Sequence, residues 1–463
     1  MKRLINGIAC LFLFIAFGVG AQQTETLSPV FPETALPFSV RIDQASFGLP
    51  TGLQTFASAV HKGKWILLAG RTNGLHGFDN FGNNFPPEFQ NSTVYIIDPM
   101  TGASKSRSLN DHSGLSRSII DALSATATQS FQSGSTLYVV GGYVLDSLTG
   151  QMITKSTLTA IDLKTLIKWV EGKKNTLKKA VRQVSHPILQ VTGGAIFQNS
   201  NHDPVLLILG QNFTGLYIGN NEGIYTEQIR RFWINDDGEH LSIMPKHDPV
   251  TFPDYRRRDL NVVPIMRHNK PAYVALSGVF TLDTGVWTVP ITIFPDGSSF
   301  EPNPQDPNTF KQAMNHYDSA VIGLYSTSSQ TMYEVLPGGI SFGFFSGGVF
   351  MTSPFIPFIN QVTTIKIDKH DNYTQYLMNN EYPFIASTGS NPGNQLLFGA
   401  NAKFFVREGI ATYHNGVIQL DRIKGPTVVG YIVGGIMSTK PNTDTITDST
   451  ASPYVFTVTV IPK

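Results

Sequence analysis

The feature that most constrains this chain is an apolar strand ending in glycine that recurs along its length. It reads Trp65-Ile-Leu-Leu-Ala-Gly70, Leu137-Tyr-Val-Val-Gly-Gly142, Val205-Leu-Leu-Ile-Leu-Gly210 and Tyr273-Val-Ala-Leu-Ser-Gly278. It returns as Tyr333-Glu-Val-Leu-Pro-Gly-Gly339 and Val429-Gly-Tyr-Ile-Val-Gly-Gly435. The final glycines are separated by 72, 68, 68, 61 and 96 residues. A unit repeated at such intervals buries its apolar face against its neighbours.

Each copy carries the same surroundings. A short strand precedes it: Thr55–Val60, Leu123–Thr128, Pro187–Val191, Asn261–Ile265, Ser319–Ile322 and Gly409–Tyr413. A long variable loop follows the glycine, then a third strand that in five copies runs into a tight turn, as at Asp98 to Gly102 and Asn235-Asp-Asp-Gly238. Turn residues at one place in five units signal a repeated hairpin. Inner strand, Gly-ending strand, loop, third strand, turn and fourth strand make one four-stranded propeller blade. The fold expected is an all-β, six-bladed propeller in a single domain over residues 22–463, with blades near 53–115, 116–180, 181–250, 255–305, 310–385 and 396–463. The last blade is one strand short at Lys463, and Leu36-Pro-Phe-Ser-Val-Arg-Ile42 has the alternation to complete it. Helical periodicity is nearly absent; Leu163 to Arg182 is the best short-helix candidate.

The units resemble kelch-type blades, in which a glycine pair closes the second strand and an aromatic and an aspartate follow on the third. Thr136 to Trp169 matches best, with Gly141-Gly142, Asp162 and Trp169 in order. Three copies carry a single glycine, and the units exceed the usual kelch length of about 50 residues, so the resemblance is to a divergent member of that class. It implies a propeller with ligands at the axial funnel.

The first 21 residues read as an export signal, with Lys2 and Arg3, then an apolar run from Ile8 to Val19, then Val19-Gly20-Ala21 at the cleavage position. The only cysteine, Cys10, lies inside it. The mature chain therefore lacks disulfides and thiolate chemistry, which favours a bacterial periplasm or cell exterior over a eukaryotic secreted context. Lys+Arg 34 against Asp+Glu 33 argues against general nucleic-acid binding. No other stretch reaches membrane length, and a monomer is expected.

Ligands of propellers sit at the funnel and its loops. Three pairs before inner strands align: Arg258-Asp259, Tyr317-Asp318 and Arg407-Glu408, with Arg257 and His316 beside them and His186 before the third blade's inner strand. Arginine with acid at the end of an apolar axis suits a polar or anionic ligand, and equally suits ion pairing between blades. Phe/Gly-rich loops at 71–91 (Phe78, Phe81, Phe85, Phe89) and 340–360 (Phe342, Phe344, Phe345, Phe350, Phe355, Phe358) are the second candidate surface. The function expected is a secreted or periplasmic, non-catalytic module for a protein or carbohydrate ligand, without metal or cofactor. The alternative is a carbohydrate-active enzyme of hydrolase, lyase or epimerase type using the axial Arg and carboxylates. Thr281-Leu-Asp283-Thr-Gly285 and Asn235-Asp236-Asp237-Gly238 read as turns, and no phosphate loop or catalytic-serine motif is present.

Overall fold

A computed structural model describes residues 26–79, 82–218, 222–246, 250–282, 285–443 and 445–463. The leader, Phe81 and Asp283 lie outside the described residues. The protein is an all-β propeller of antiparallel four-stranded sheets. The first sheet runs from Ala57–His61 through Lys64–Leu68 and Thr93–Ile97 to Ser104–Ser108. The second, third and fourth repeat this order from inner strands Gln129–Ser133, Ala195–Phe197 and Val262–Arg267. The closing sheet holds Lys403–Val406, Thr427–Val433, Val455–Pro462 and Phe38–Gln44.

The regular four-stranded blades are five, not the six expected. The unit at 310–385 forms a six-stranded sheet instead: Ile322–Ser326, Thr331–Ile340, Phe358–Ile367 and Tyr373–Leu377 make a blade-like core. Val30–Pro32 adds in parallel at its outer edge and Ile418–Gln419 in parallel at its axial edge. The reason is that both edges expose unpaired backbone groups, and two segments outside the repeat fill them.

The N-terminal strand closes the last sheet as its pattern predicts, two residues further along the chain. Phe38 pairs with Pro462, Val40 with Val460 and Ile42 with Val458. Phe38, Val40 and Ile42 are buried while Arg41 and Asp43 face solvent, so register follows the apolar alternation.

The glycines latch neighbouring sheets. The Gly70 N–H donates to Ala125 O, Gly142 to Val191 O, Gly210 to Arg257 O, Gly339 to Phe398 O and Gly435 to Leu53 O, all within 2.7–3.0 Å. The residue before each lies in the left-handed region even where it is not glycine: Ala69 (φ 61°), Leu209 (φ 56°) and Ser277 (φ 26°). The single-glycine copies therefore keep the same turn. In the fourth sheet the Ser277 hydroxyl supplies the inter-sheet bond, donating to Asn315 O at 3.1 Å.

Three inner strands lie elsewhere than the sequence suggests. Leu123–Thr128 and Pro187–Val191 precede the observed strands, and Pro187–Leu189 is a 3-10 turn. Gly409–Tyr413 belongs to a long connection after the true inner strand Lys403–Val406. The helix expected at 163–182 is confined to Leu163–Val170, capped by Asp162 accepting from the Thr165 N–H at 2.7 Å. Among the described residues no helix is long and apolar enough to cross a membrane.

Candidate functional site

Six residues leading into the inner strands share a left-handed backbone: Thr55 (φ 49°), Ala127 (φ 48°), Gly193 (φ 65°), Asp259 (φ 47°), Asp318 (φ 50°) and Asn401 (φ 57°). Backbone bonds join them around the axis, from Gly193 N to Ala127 O, from Asp259 N to Gly193 O and from Asn401 N to Asp318 O. The Thr55 and Thr126 hydroxyls meet at 2.7 Å, and Asn401 Nδ2 donates to Gln54 Oε1 at 2.7 Å. These turns form the floor of an open funnel, which Thr55, Ala127, Gly193, Asp259 and Asn401 line directly. The residue following each latch glycine forms a second ring, bridged antiparallel to the floor at Thr126–Tyr143, Thr192–Gln211, Arg258–Val279 and Tyr317–Ile340.

That second ring is two-faced. Arg71, Tyr143 and Gln211 occupy one side, and Val279, Ile340 and Ile436 the other. Arg71 is itself covered by the Phe85 ring, 5.1 Å from its guanidinium, and burial pushes its pKa down to about 10. Phe85, Phe213, Tyr143 and Tyr217 pack together along the polar side, edge to face except for the tilted Phe213–Tyr217 pair. Above them an outer mouth is lined by Phe78, Phe280, Pro354, Phe355 and Asn442.

His76 sits between mouth and floor, ringed by Phe78, Phe85 and Tyr217 at 4.7–5.0 Å. Its Nδ1 faces Gly77 O at 2.7 Å, which assigns the proton to Nδ1 and leaves Nε2 as the acceptor of a ring that lines the funnel. Burial pulls its pKa down to about 4, helped by Arg258 and Arg71 and opposed by the Gly77 carbonyl and Asp259. At neutral pH it is an uncharged acceptor.

Of the residues the sequence singles out, Arg258, Asp259 and Tyr317 line the funnel together. Arg258 is occupied on every nitrogen. Nε donates to Tyr225 at 3.0 Å, Nη2 to Tyr217 at 3.1 Å and Nη1 to Asp259, and the guanidinium lies 5.1 Å from the Phe280 ring. Asp318 occupies the equivalent turn in the next sheet. Burial and the like charge of Asp259 push its carboxyl up to about 7, against the opposing pull of Lys403.

The other candidates are elsewhere. Arg257 is fully buried inside the fourth sheet, donating to Val289 O at 2.7 Å, pairing with Glu301 and stacking on Trp287. Side chains alternate along an extended segment, so Arg257 and Arg258 point into different environments. His316 is buried with Nδ1 against Gly338 O at 2.7 Å, and burial lowers its pKa to about 4. His186 caps the 3-10 turn at Pro187–Leu189, accepting from the Ile188 N–H at 3.2 Å. Arg407 and Glu408 follow an inner strand instead of leading into it, so they lie at the opposite end of the sheet. There they line a groove with Val60, Trp65 and Met100. Of the three expected pairs, the funnel thus holds Arg258–Asp259 with Tyr317 beside it, while Arg407–Glu408 lies at the other end of the sheet.

In the loops, Phe85 faces the funnel and Phe78 and Phe355 its mouth. Phe344, Phe345 and Phe350 belong to a two-stranded hairpin, Gly343–Ser346 with Val349–Thr352, and Phe358 is buried.

No protein-family model and no curated protein matches the chain. Among solved structures it is similar to one described as "Structure of YjhT", at 10% identity over 89% of this chain and 98% of that one, with a TM-score of 0.44. The class defined by the sheets is a β-propeller with an axial funnel.

Proposed function

We propose that this chain is an exported, monomeric, non-catalytic binding module that holds a carbohydrate in its axial funnel. The observation that carries the reading is the pairing of aromatic walls with uncharged hydrogen-bonding groups. Phe85, Phe213, Tyr143 and Tyr217 offer ring faces and edges, while His76 Nε2, Gln211 and Thr192 offer hydrogen bonds. A polyhydroxylated ring with apolar C–H faces matches both. An anion fits less well: Arg258 is neutralised by Asp259, and three of its five N–H groups already donate to Tyr225, Tyr217 and Asp259. Lys2, Arg3 and the apolar run from Ile8 to Val19 support the export part of the reading.

One observation favours a second reading, a carbohydrate-active enzyme. Asp259 and Asp318 occupy adjacent turns of the floor, and the Asp318 carboxyl titrates near 7, as an acid–base pair would require. Incubating the mature protein with a glycan library and recovering the retained species decides between them. Binding with chemically unchanged ligand, lost in His76→Ala and Tyr217→Ala, supports the binding module. Turnover abolished by Asp318→Asn and Asp259→Asn replaces it with the enzyme.

A further inference from the structure

We infer that the funnel is blind at its lower end and therefore takes the terminal residue of a glycan chain, never an internal stretch. The inference rests on the carbohydrate reading above. At the end of the axis away from the mouth, inner and second strands are joined by short connections: residues 62–63, 134–135, 198–204, 268–269 and 327–330. The closing sheet alone has a long one, residues 407–426. It accounts for part of the 96-residue glycine spacing.

This connection turns under the axis. His414 Nε2 meets Asn199 Oδ1 of the third sheet's short connection at 3.0 Å, and Asn415 Nδ2 donates to Ile265 O of the fourth sheet at 3.1 Å. Tyr413 bonds Thr327 below the six-stranded sheet at 2.5 Å. The chain then lays Ile418–Gln419 alongside Leu324 and Tyr325, on the edge of the six-stranded sheet that faces the axis. Val417 and Ile418 are 2% and 1% exposed. Backbone and apolar side chains thus fill the space through which a threaded chain would leave. The opposite end is open and rimmed by Phe78 and Phe355, which are 65% and 80% exposed. A polymer can enter only by its end, with its terminal sugar on the floor and the following residues against the mouth aromatics.

The test is a glycan array probed with the mature protein, containing chains that share a terminus over varied interiors and chains that share an interior under varied termini. Retained glycans should group by terminal residue. Grouping by interior motif overturns the inference and leaves carbohydrate binding intact. Retention of no glycan overturns the carbohydrate reading, and this inference falls with it. A second measurement uses Phe78→Ala and Phe355→Ala, whose exposure makes them safe for folding. Each should weaken a retained trisaccharide by roughly 2- to 12-fold while leaving its terminal monosaccharide unaffected. Equal losses for both ligands would place the terminal sugar at the mouth and overturn the blind-pocket geometry.

Discussion

Truncating Phe38 to alanine tests whether the N-terminal strand holds the ring shut. The side chain is fully buried, meets the Tyr333 ring edge-on at 5.3 Å, and shares a core with Leu324, Val335 and Val458. That core joins the closing sheet to the six-stranded one. A Phe→Ala change in such a site costs about 3–5 kcal/mol, part transfer and part cavity. Unfolding entropy near 2.1 cal/mol/K per residue gives about 0.9 kcal/mol/K for roughly 430 residues. A loss of about 4 kcal/mol therefore lowers the melting temperature by about 4 °C. Arg41→Ala on the same strand is the control, because its pair with Asp43 is half exposed on both sides and such pairs contribute about 0–1 kcal/mol. Differential scanning calorimetry on the mature protein reads both variants. Deleting residues 22–45 should go further, exposing the Val455–Pro462 edge and producing aggregation visible by light scattering. If Phe38→Ala melts with Arg41→Ala and wild type, the strand is an appendage and the closure argument is wrong.

Glu334 is fully buried with neither carboxylate oxygen hydrogen-bonded, and burial pushes its pKa well above the usual carboxylate value. It stays protonated in the fold while the unfolded chain ionises, so stability falls as pH rises above about 4.5; Glu334→Gln should melt higher than wild type at pH 8 and lose that advantage near pH 4. Arg257→Met should leave Glu301 buried without its partner and cost about 3–5 kcal/mol, with ligand affinity at the funnel unchanged in binding calorimetry. Gly142→Ala places a Cβ 2.4 Å from Thr128 Cγ2 and 2.8 Å from Ala125 Cβ at φ 85°; left-handed strain and overpacking together predict a loss of about 2–5 kcal/mol in urea melts.

What the sequence discloses and what it hides have distinct physical causes. The Gly-ending strands are visible because each is a continuous apolar run with a backbone requirement at its end, and both recur. The closing strand is visible because its alternation has one buried face. Arg258, Asp259 and Tyr317 are recoverable because they adjoin inner strands whose positions are nearly right. Arg407 and Glu408 mislead because the connection after Val406 contains its own short strand-like run near Ile410, and periodicity cannot separate a strap from a blade. His76, Phe85 and Tyr217 come from long loops, where packing against the funnel has no period to detect. One signal in the repeat does reach the site: aligning the residue after each latch glycine yields Arg71, Tyr143, Gln211, Val279, Ile340 and Ile436, the whole second ring.

The floor carries a further argument about which side chains matter. A left-handed turn costs a non-glycine residue on the order of 1 kcal/mol or more, and glycine would avoid that cost. Only one of the six floor positions, Gly193, takes glycine. Asp259, Asp318 and Asn401 belong to the residue types that tolerate the conformation best, and Asn401 uses its amide to hold Gln54. Thr55 is β-branched and tolerates it poorly, yet its hydroxyl bonds Thr126 across the sheet boundary. Ala127 has no side-chain partner to offer and faces the funnel directly. The strain at these turns is therefore held in place by the latch bonds behind them, which fix the backbone whatever residue occupies it. Ala127 keeps the turn with no side-chain bond, so its side chain is free to vary without loosening the ring, whereas Thr55 and Asn401 also tie neighbouring sheets together and join ligand choice to closure at those two turns.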